Sequence, residues 1–126
     1  MTKITRFEEI EAWQTARELP RQLYELTNAG QFARDFGLRD QMRRASVSIM
    51  SNIAEGFESR TPALFVEYLG RAKASAGELR AQLYVAQDVG YLDQSQYEQT
   101  HELVDKCSRQ LSKFMTYLVS QKAKNV

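Results

Sequence analysis

The chain has 126 residues, of which 43% are hydrophobic and 26% are charged, as in a globular protein with one core. Its 17 basic and 16 acidic side chains leave a net charge of +1, which does not mark a strongly basic nucleic-acid-binding protein. The single cysteine, Cys107, excludes a disulfide within the chain and indicates a reducing compartment. No apolar segment approaches the roughly 20 residues that span a membrane, and the N-terminus has no signal-peptide pattern. We therefore expect a cytoplasmic protein without a membrane partner, folded as a single domain over residues 1–126.

The first predicted helix covers about residues 6–28 and is followed by a loop. Its apolar residues recur at spacings of three and four, the period of an α-helix; they are Ala12, Ala16, Leu19, Leu23 and Leu26. Thr5 and Glu8 have the spacing of a capping box that opens this helix. Pro20 interrupts the pattern without ending it, so we predict one helix with a kink at that residue.

The second predicted helix, residues 36–56, carries two apolar lines instead of one. The first line consists of Leu38, Met42, Ala45, Ile49 and Ile53. The second line consists of Val47, Met50, Ala54 and Phe57. One line is enough to seat a helix on its own core, so the second predicts an interface with another copy of the chain. Asp35 is the predicted cap of this helix, and Gly56 the predicted left-handed residue at its end.

A polar stripe runs between these two apolar lines, and two interpretations of it stay open. Its members are Ser48, Ser51, Asn52 and Glu55, with Arg44 one turn before them. Polar groups on a helix that is buried on two sides need hydrogen-bond partners. Neighbouring helices can supply those partners, which would make the stripe structural. Alternatively, the stripe fixes the register of an oligomer or lines a site.

The third and fourth predicted helices cover about residues 62–89 and 94–121. Thr61 followed by Pro62 predicts the start of the third helix, and Gly90 predicts its end. Asp93 and Gln96 have capping-box spacing at the start of the fourth. Four long amphipathic helices with short connections predict an all-α protein, an antiparallel up-down-up-down four-helix bundle.

No set of residues has the spacing of a catalytic or metal site. Glu98 and His101 match half of a di-iron carboxylate motif, but that chemistry needs a second such motif, and His101 is the only histidine. Cys107 lies on the apolar line of the fourth helix, six residues from His101, which favours a small core residue over a nucleophile. We therefore predict no enzyme, no catalytic residues, no cofactor and no metal.

Basic residues form two modest patches. Arg39, Arg43 and Arg44 cluster at the start of the second helix, and Lys106, Arg109 and Lys113 share a broad face of the fourth. One such patch is more often a solvated helix surface than a binding site, but a ring of identical subunits repeats it, and phosphate contacts act together. No aromatic residues are interleaved with these cations, so we expect contacts with the nucleic-acid backbone and little reading of bases.

The segment GLRDQMRRASVSIMSNIAEGFESRT resembles the four-helix-bundle proteins encoded in intervening sequences of bacterial 23S ribosomal RNA genes. That family combines a Q-x-R-R-A segment with S-I-x-x-N-I-A-E-G. The matching positions here are Gln41, Arg43, Arg44, Ala45, Ser48, Ile49, Asn52, Ile53, Ala54, Glu55 and Gly56. The chain is also similar to the accessory proteins of diversity-generating retroelements, which bind nucleic acid and assist a reverse transcriptase. The resemblance implies a homo-oligomeric ring, a pentamer, of four-helix bundles.

Two functional hypotheses follow. The first is a non-enzymatic, homo-oligomeric bundle that binds RNA, DNA or a nucleoprotein through repeated basic patches. The alternative is a protein-interaction scaffold without affinity for nucleic acid.

Overall fold

The structure is a computed structural model that describes the backbone of residues 3–124 and the side chains of residues 3–121. It contains four α-helices, α1 (Glu11–Leu26), α2 (Phe36–Phe57), α3 (Pro62–Asp88) and α4 (Gln94–Lys124). Short 3-10 helices occupy Phe7–Glu9 and Phe32–Arg34, and the described chain contains no strand. The prediction of an all-α chain with four helices is confirmed. The two residues at each end of the predicted domain lie outside the described part.

The apolar lines predicted for the four helices pack together in one hydrophobic core. Its largest fully buried side chains include Leu19 and Leu23 from α1, Ile49 from α2, Leu79 from α3 and Leu111 from α4. The main packing pairs are α1 with α2, α2 with α3, α3 with α4 and α4 with α1. It follows that α2 and α4 lie on opposite sides of the core. No helix between residues 3 and 124 is long and apolar enough to cross a membrane.

The start of α1 differs from the prediction. Glu9, and not Glu8, closes the N-terminal turn, because its carboxylate accepts hydrogen bonds from the backbone N–H groups of Thr5 at 2.7 Å and Arg6 at 3.2 Å. These bonds hold the pKa of Glu9 below its usual value. The turn is a separate 3-10 helix, and α1 begins several residues later than expected, at Glu11. One continuous helix passes through Pro20, as predicted.

Four other helix ends follow the predicted capping chemistry. The Asp35 side chain accepts from the N–H of Leu38 at 3.1 Å, and that of Thr61 accepts from Leu64 at 3.1 Å. Asp93 and Gln96 form a reciprocal capping box at the start of α4. Gly90, with φ at +82°, lets the chain fold back after α3. These four predictions are confirmed.

Gly56 has a different role from the predicted one. It lies inside α2, is buried and does not adopt the left-handed conformation. A Cβ at Gly56 would lie 2.8 Å from the Cβ of Tyr68 and 2.9 Å from Cδ1 of Phe65. The residue is therefore needed for the close approach of α2 and α3, and α2 continues to Phe57 before the chain turns.

The second apolar line of α2 is more covered within one chain than its prediction as an interface with another copy implies. Met50 and Phe57 are half-buried and pack against the chain's own core, and Ala54 is also half-buried. Val47 keeps 38% of its surface exposed. The second apolar line is thus partly covered by the chain itself, and Val47 is its most open large member.

Candidate nucleic-acid interface

Arg43 is held in place by contacts between α2 and the end of α1. Its Nε donates to the hydroxyl of Thr27 at 2.8 Å, and that buried hydroxyl in turn donates to the carbonyl of Leu23. The guanidinium carbon lies 4.3 Å from the centre of the Tyr24 ring, a distance at which a cation is attracted to the ring face. Arg43 is therefore an ordered, half-buried cation.

Arg39, one turn before Arg43 on α2, is ordered in the same way. Its Nη1 donates to the carbonyl of Ala33 at 3.0 Å, and its Nε pairs with Asp40 at 2.9 Å. The guanidinium carbon lies 4.7 Å from the centre of the Phe36 ring. These contacts hold both arginines over aromatic rings at the N-terminal end of α2.

Sequence analysis missed the two aromatic residues of this cluster, and the expectation of no interleaved aromatics was wrong. Phe36 precedes Arg39 by three residues on one helix, a spacing that brings side chains together, so this pair was open to prediction. Tyr24 lies on α1, and only the packing of α1 against α2 brings it to Arg43. Both rings are exposed, Tyr24 at 47% and Phe36 at 62%. We call Tyr24, Phe36, Arg39 and Arg43 the arginine–aromatic face.

Arg44 lies beside the polar stripe and away from this face. It is exposed and makes no hydrogen bond or ion pair with any described residue, and it borders a shallow depression shared with Glu78 of α3. In the stripe, Ser48 bonds to Ser75 of α3 at 3.0 Å, and the Asn52 amide donates to the Ser48 carbonyl at 2.8 Å. Ser48 and Asn52 thus find partners inside the chain.

The other two members of the stripe, Ser51 and Glu55, are exposed to solvent. Only part of the stripe is buried within one chain. The structural interpretation therefore holds for the Ser48–Asn52 pair, while Ser51 and Glu55 present polar groups on the outer surface of α2.

The three residues of the α4 patch, Lys106, Arg109 and Lys113, have different surroundings. Arg109 pairs with Asp105 at 3.1 Å, and Asp105 also lies 3.8 Å from Arg80 of α3. Lys106 and Lys113 are exposed and have no ion-pair partner within residues 3–121. Lys113 borders an open groove that also contains Glu9 and Glu11, so acidic groups lie on the same side. Of the three residues of the α4 patch, Lys106 and Lys113 are the ones whose charge is available for a partner.

The two basic patches are not brought together in one chain. In the α2 patch, Arg43 lies towards α1, as its contacts with Tyr24 and Thr27 show, whereas Arg44 borders Glu78 of α3. The α4 patch lies across the core, because α2 and α4 occupy opposite sides of it. A ligand that contacts both patches of one chain would have to extend around α1. Alternatively, a ligand could contact the α2 patch of one chain and the α4 patch of another.

The structure gives the surroundings of the residues considered for catalysis. Cys107 is fully buried, and burial raises the pKa of its thiol to about 12, so the nucleophilic thiolate is scarce at neutral pH. The His101 ring packs with those of Tyr97 at 5.5 Å and Tyr84 at 6.2 Å between ring centres. In the described part of the chain, no group of three or more histidine, cysteine or acidic residues could hold a metal ion.

Comparisons with known proteins agree with this architecture. The family model for 23S rRNA-intervening sequence proteins matches residues 8–113. Among solved structures, the chain is similar to a protein of unknown function from the S23 ribosomal protein family of Bacteroides thetaiotaomicron VPI-5482. The TM-score is 0.77 at 21% identity, covering 83% of this chain and 95% of that one. No curated protein matches the chain significantly. Because the family model spans most of the sequence, the chain belongs to the 23S rRNA-intervening sequence protein family.

Proposed function

We propose that the protein is a non-enzymatic, homo-oligomeric helical bundle that binds nucleic acid, or a nucleoprotein, through arginine and lysine side chains repeated around a ring. The observation that carries the proposal is the arginine–aromatic face, where two ordered guanidinium groups lie over exposed rings. Guanidinium groups bind phosphate with paired hydrogen bonds, and they also stack on bases. Cys107 is the single cysteine of the chain and forms no disulfide within it, which fits the reducing compartment, the cytoplasm, of this proposal.

The antiparallel up-down-up-down order of the helices is supported by paired contacts along α2 and α3. Ser48, near the middle of α2, meets Ser75, whereas Gly56, near the end of α2, meets Phe65 and Tyr68. Residues later in α2 therefore contact residues earlier in α3, which is the pattern of two neighbouring helices that run in opposite directions. Each link between successive helices is also short, which favours antiparallel neighbours.

Assembly into a ring needs two different surfaces on each subunit, because a head-to-tail contact joins unlike patches. The second apolar line of α2 offers one, with Val47 as its exposed large residue. The other is offered by α3 and the cap residue that follows it, where Leu64, Val85 and Val89 are exposed. We propose that the α2 surface of one subunit packs on the α3 surface of the next, in the pentamer that the family resemblance implies.

Nucleic-acid binding is tested by a salt titration of RNA and DNA affinity. We compare the unchanged protein with the double variant Arg39→Gln/Arg43→Gln and with Arg60→Gln/Arg71→Gln, which removes the same charge elsewhere. The logarithm of the binding constant should fall as salt rises, and the slope should shrink by about 0.7–0.9 for each phosphate that the protein no longer neutralises. Only the first double variant should change the slope. Absence of binding at low salt, or equal slopes for the two double variants, would contradict the proposal.

The alternative is a protein-interaction scaffold without nucleic-acid affinity. The exposed apolar residues of α3 favour it, because apolar surface attracts protein partners regardless of charge. This alternative predicts normal assembly together with no measurable binding of RNA or DNA at any salt concentration. The same titration therefore separates it from the lead proposal.

A further inference from the structure

We infer that the arginine–aromatic face takes unpaired bases, so that the nucleic acid this protein prefers is single-stranded and not a duplex. The inference rests on the proposed function, because it names the ligand class for the same surface. It adds to the proposed function what the exposure of the two aromatic rings implies, which the number of positive charges does not.

Arginines also lie over Trp13 and Tyr68, but those rings are buried or half-buried, whereas Tyr24 and Phe36 are exposed. Tyr24 and Phe36 expose 47% and 62% of their surface, and each has an arginine over its face. Tyr84 is similarly exposed at 52%, but it packs with Tyr97 and His101 and has no arginine over its ring. Burying an exposed ring against a flat apolar partner releases water and is favourable. Every nucleic-acid base has such a flat face.

The guanidinium groups are arranged to assist this stacking. Arg43 uses Nε for its bond to Thr27, and its Nη groups have no hydrogen-bond partner in the described chain. Those N–H groups can donate to phosphate oxygens while the ring beneath holds the guanidinium plane. Because both arginines are already fixed by hydrogen bonds, binding costs little side-chain entropy.

The spacing of the two arginines suits a nucleotide chain. Arg39 and Arg43 are four residues apart on α2, which corresponds to about 6 Å along the helix axis. Each nucleotide of a strand advances about 3.4 Å along the axis of a double helix, so the backbone positions of the two arginines are offset by about two such steps. In a duplex, neighbouring bases cover each other's faces, so stacking on a protein ring requires an unpaired segment.

The charges around this face include acidic groups, which do not outnumber the basic ones. Asp40 is paired with Arg39, and Asp35 accepts from the Tyr91 hydroxyl at 2.9 Å while it caps α2. Glu25 follows Tyr24 and is exposed. Arg21, one turn before Tyr24, and Arg34, two residues before Phe36, are exposed as well. The four basic residues around this face are therefore Arg21, Arg34, Arg39 and Arg43, and the three acidic residues are Glu25, Asp35 and Asp40.

The test uses a fluorescein-labelled DNA strand of mixed sequence without self-complementarity, about 20 nucleotides long, which exceeds the roughly 4–16 nucleotides of common single-strand sites. Its affinity is measured by fluorescence anisotropy, alone and annealed to its complement. The variant is Tyr24→Leu/Phe36→Leu, which keeps apolar bulk and charge but removes both ring faces. The control is Tyr84→Leu, which removes an equally exposed ring elsewhere. Thermal unfolding followed by circular dichroism verifies that each variant folds.

The unchanged protein should bind the single strand more tightly than the duplex. Loss of ring stacking costs about 5- to 100-fold in affinity per base, so the double variant should bind the single strand at least about tenfold more weakly. Its duplex affinity and its salt dependence should stay as they were, and Tyr84→Leu should match the unchanged protein. Equal affinity for strand and duplex, or a double variant that loses nothing or weakens both ligands alike, would overturn the inference and leave charge-based binding standing. Absence of binding to both ligands at low salt would overturn the inference and the proposed function together.

Discussion

Cys107 shows how strongly its position in the core controls the chemistry of one residue. Its side chain is fully buried, its Sγ donates to the carbonyl of Ala12 at 3.6 Å, and burial raises the pKa of the thiol to about 12. The thiol is therefore neutral in the folded protein up to strongly alkaline pH. We predict negligible reaction with a disulfide reagent in the native protein between pH 7 and pH 9, without the increase that an exposed thiol shows over this range.

The measurement follows the release of the reagent's coloured thiolate with and without denaturant. Unfolding should expose the single thiol and give one rapid equivalent per chain. Rapid stoichiometric reaction in the absence of denaturant would show that the core around α4 opens readily.

For single residues, the sequence predicted which side chains are buried better than it predicted which side chains contact each other. The apolar spacing of α4 was enough to assign Cys107 to the core, because helical periodicity fixes which side a residue faces. The stacking of Arg43 on Tyr24 was not accessible in the same way. Those residues are 19 positions apart (43 − 24), and only the packed fold brings them together. The Ser48–Ser75 bond escaped prediction for the same reason.

Among the helices, the junction of α2 and α3 leads to the clearest prediction on stability. A methyl group at Gly56 would meet Tyr68 and Phe65 below 3.0 Å, so Gly56→Ala must push the two helices apart or distort them. We expect a loss of about 1–3 kcal/mol in the free energy of unfolding, the usual cost of overpacking. Urea unfolding at fixed protein concentration measures it.

Gly77→Ala is the matched control for this variant. Gly77 lies within α3, and nothing would lie within 4 Å of its added methyl group. Alanine is the better helix former, so this change should raise stability by about 0.5–1 kcal/mol. If Gly56→Ala also stabilises the protein, the close approach of α2 and α3 is not what Gly56 provides.

Helices were predictable because most of them carry their own start and stop signals. Asp35, Thr61 and Asp93 each cap a helix through a side chain that is local in sequence, and Gly90 closes α3 through its positive φ. The start of α1 was missed because two glutamates, Glu8 and Glu9, offered similar capping spacings, and backbone geometry selected the second. Gly56 was misassigned because a glycine near a helix end fits a left-handed cap as well as a close helix contact.

For the whole molecule, the decisive quantity is the mass of the native particle. Val47, Val85 and Val119 are exposed to comparable extents, on α2, α3 and α4. We predict that Val47→Glu and Val85→Glu each reduce the native mass in light scattering, because each places a charge on one of the two unlike patches that a ring joins. Val119→Glu, outside both patches, should leave the mass unchanged.

Three outcomes would contradict this assembly. If the unchanged protein is a monomer, it forms no ring. If Val47→Glu and Val85→Glu leave the mass unchanged, the proposed interface is wrong. Dissociation by Val119→Glu would move the interface to α4. The sequence alone suggested the α2 surface through a second apolar line, but it could not reveal that Met50 and Phe57 are partly covered by the chain itself.

The Ser48–Ser75 bond and the contacts of Gly56 lie eight residues apart along α2, so they fix the alignment of α2 and α3 at two separate heights. Sliding one of these helices along the other would break a part-buried polar contact at one height and create a steric clash at the other. Such sliding is therefore disfavoured, whereas a tilt of α1, which carries Tyr24, would change the space above Arg43.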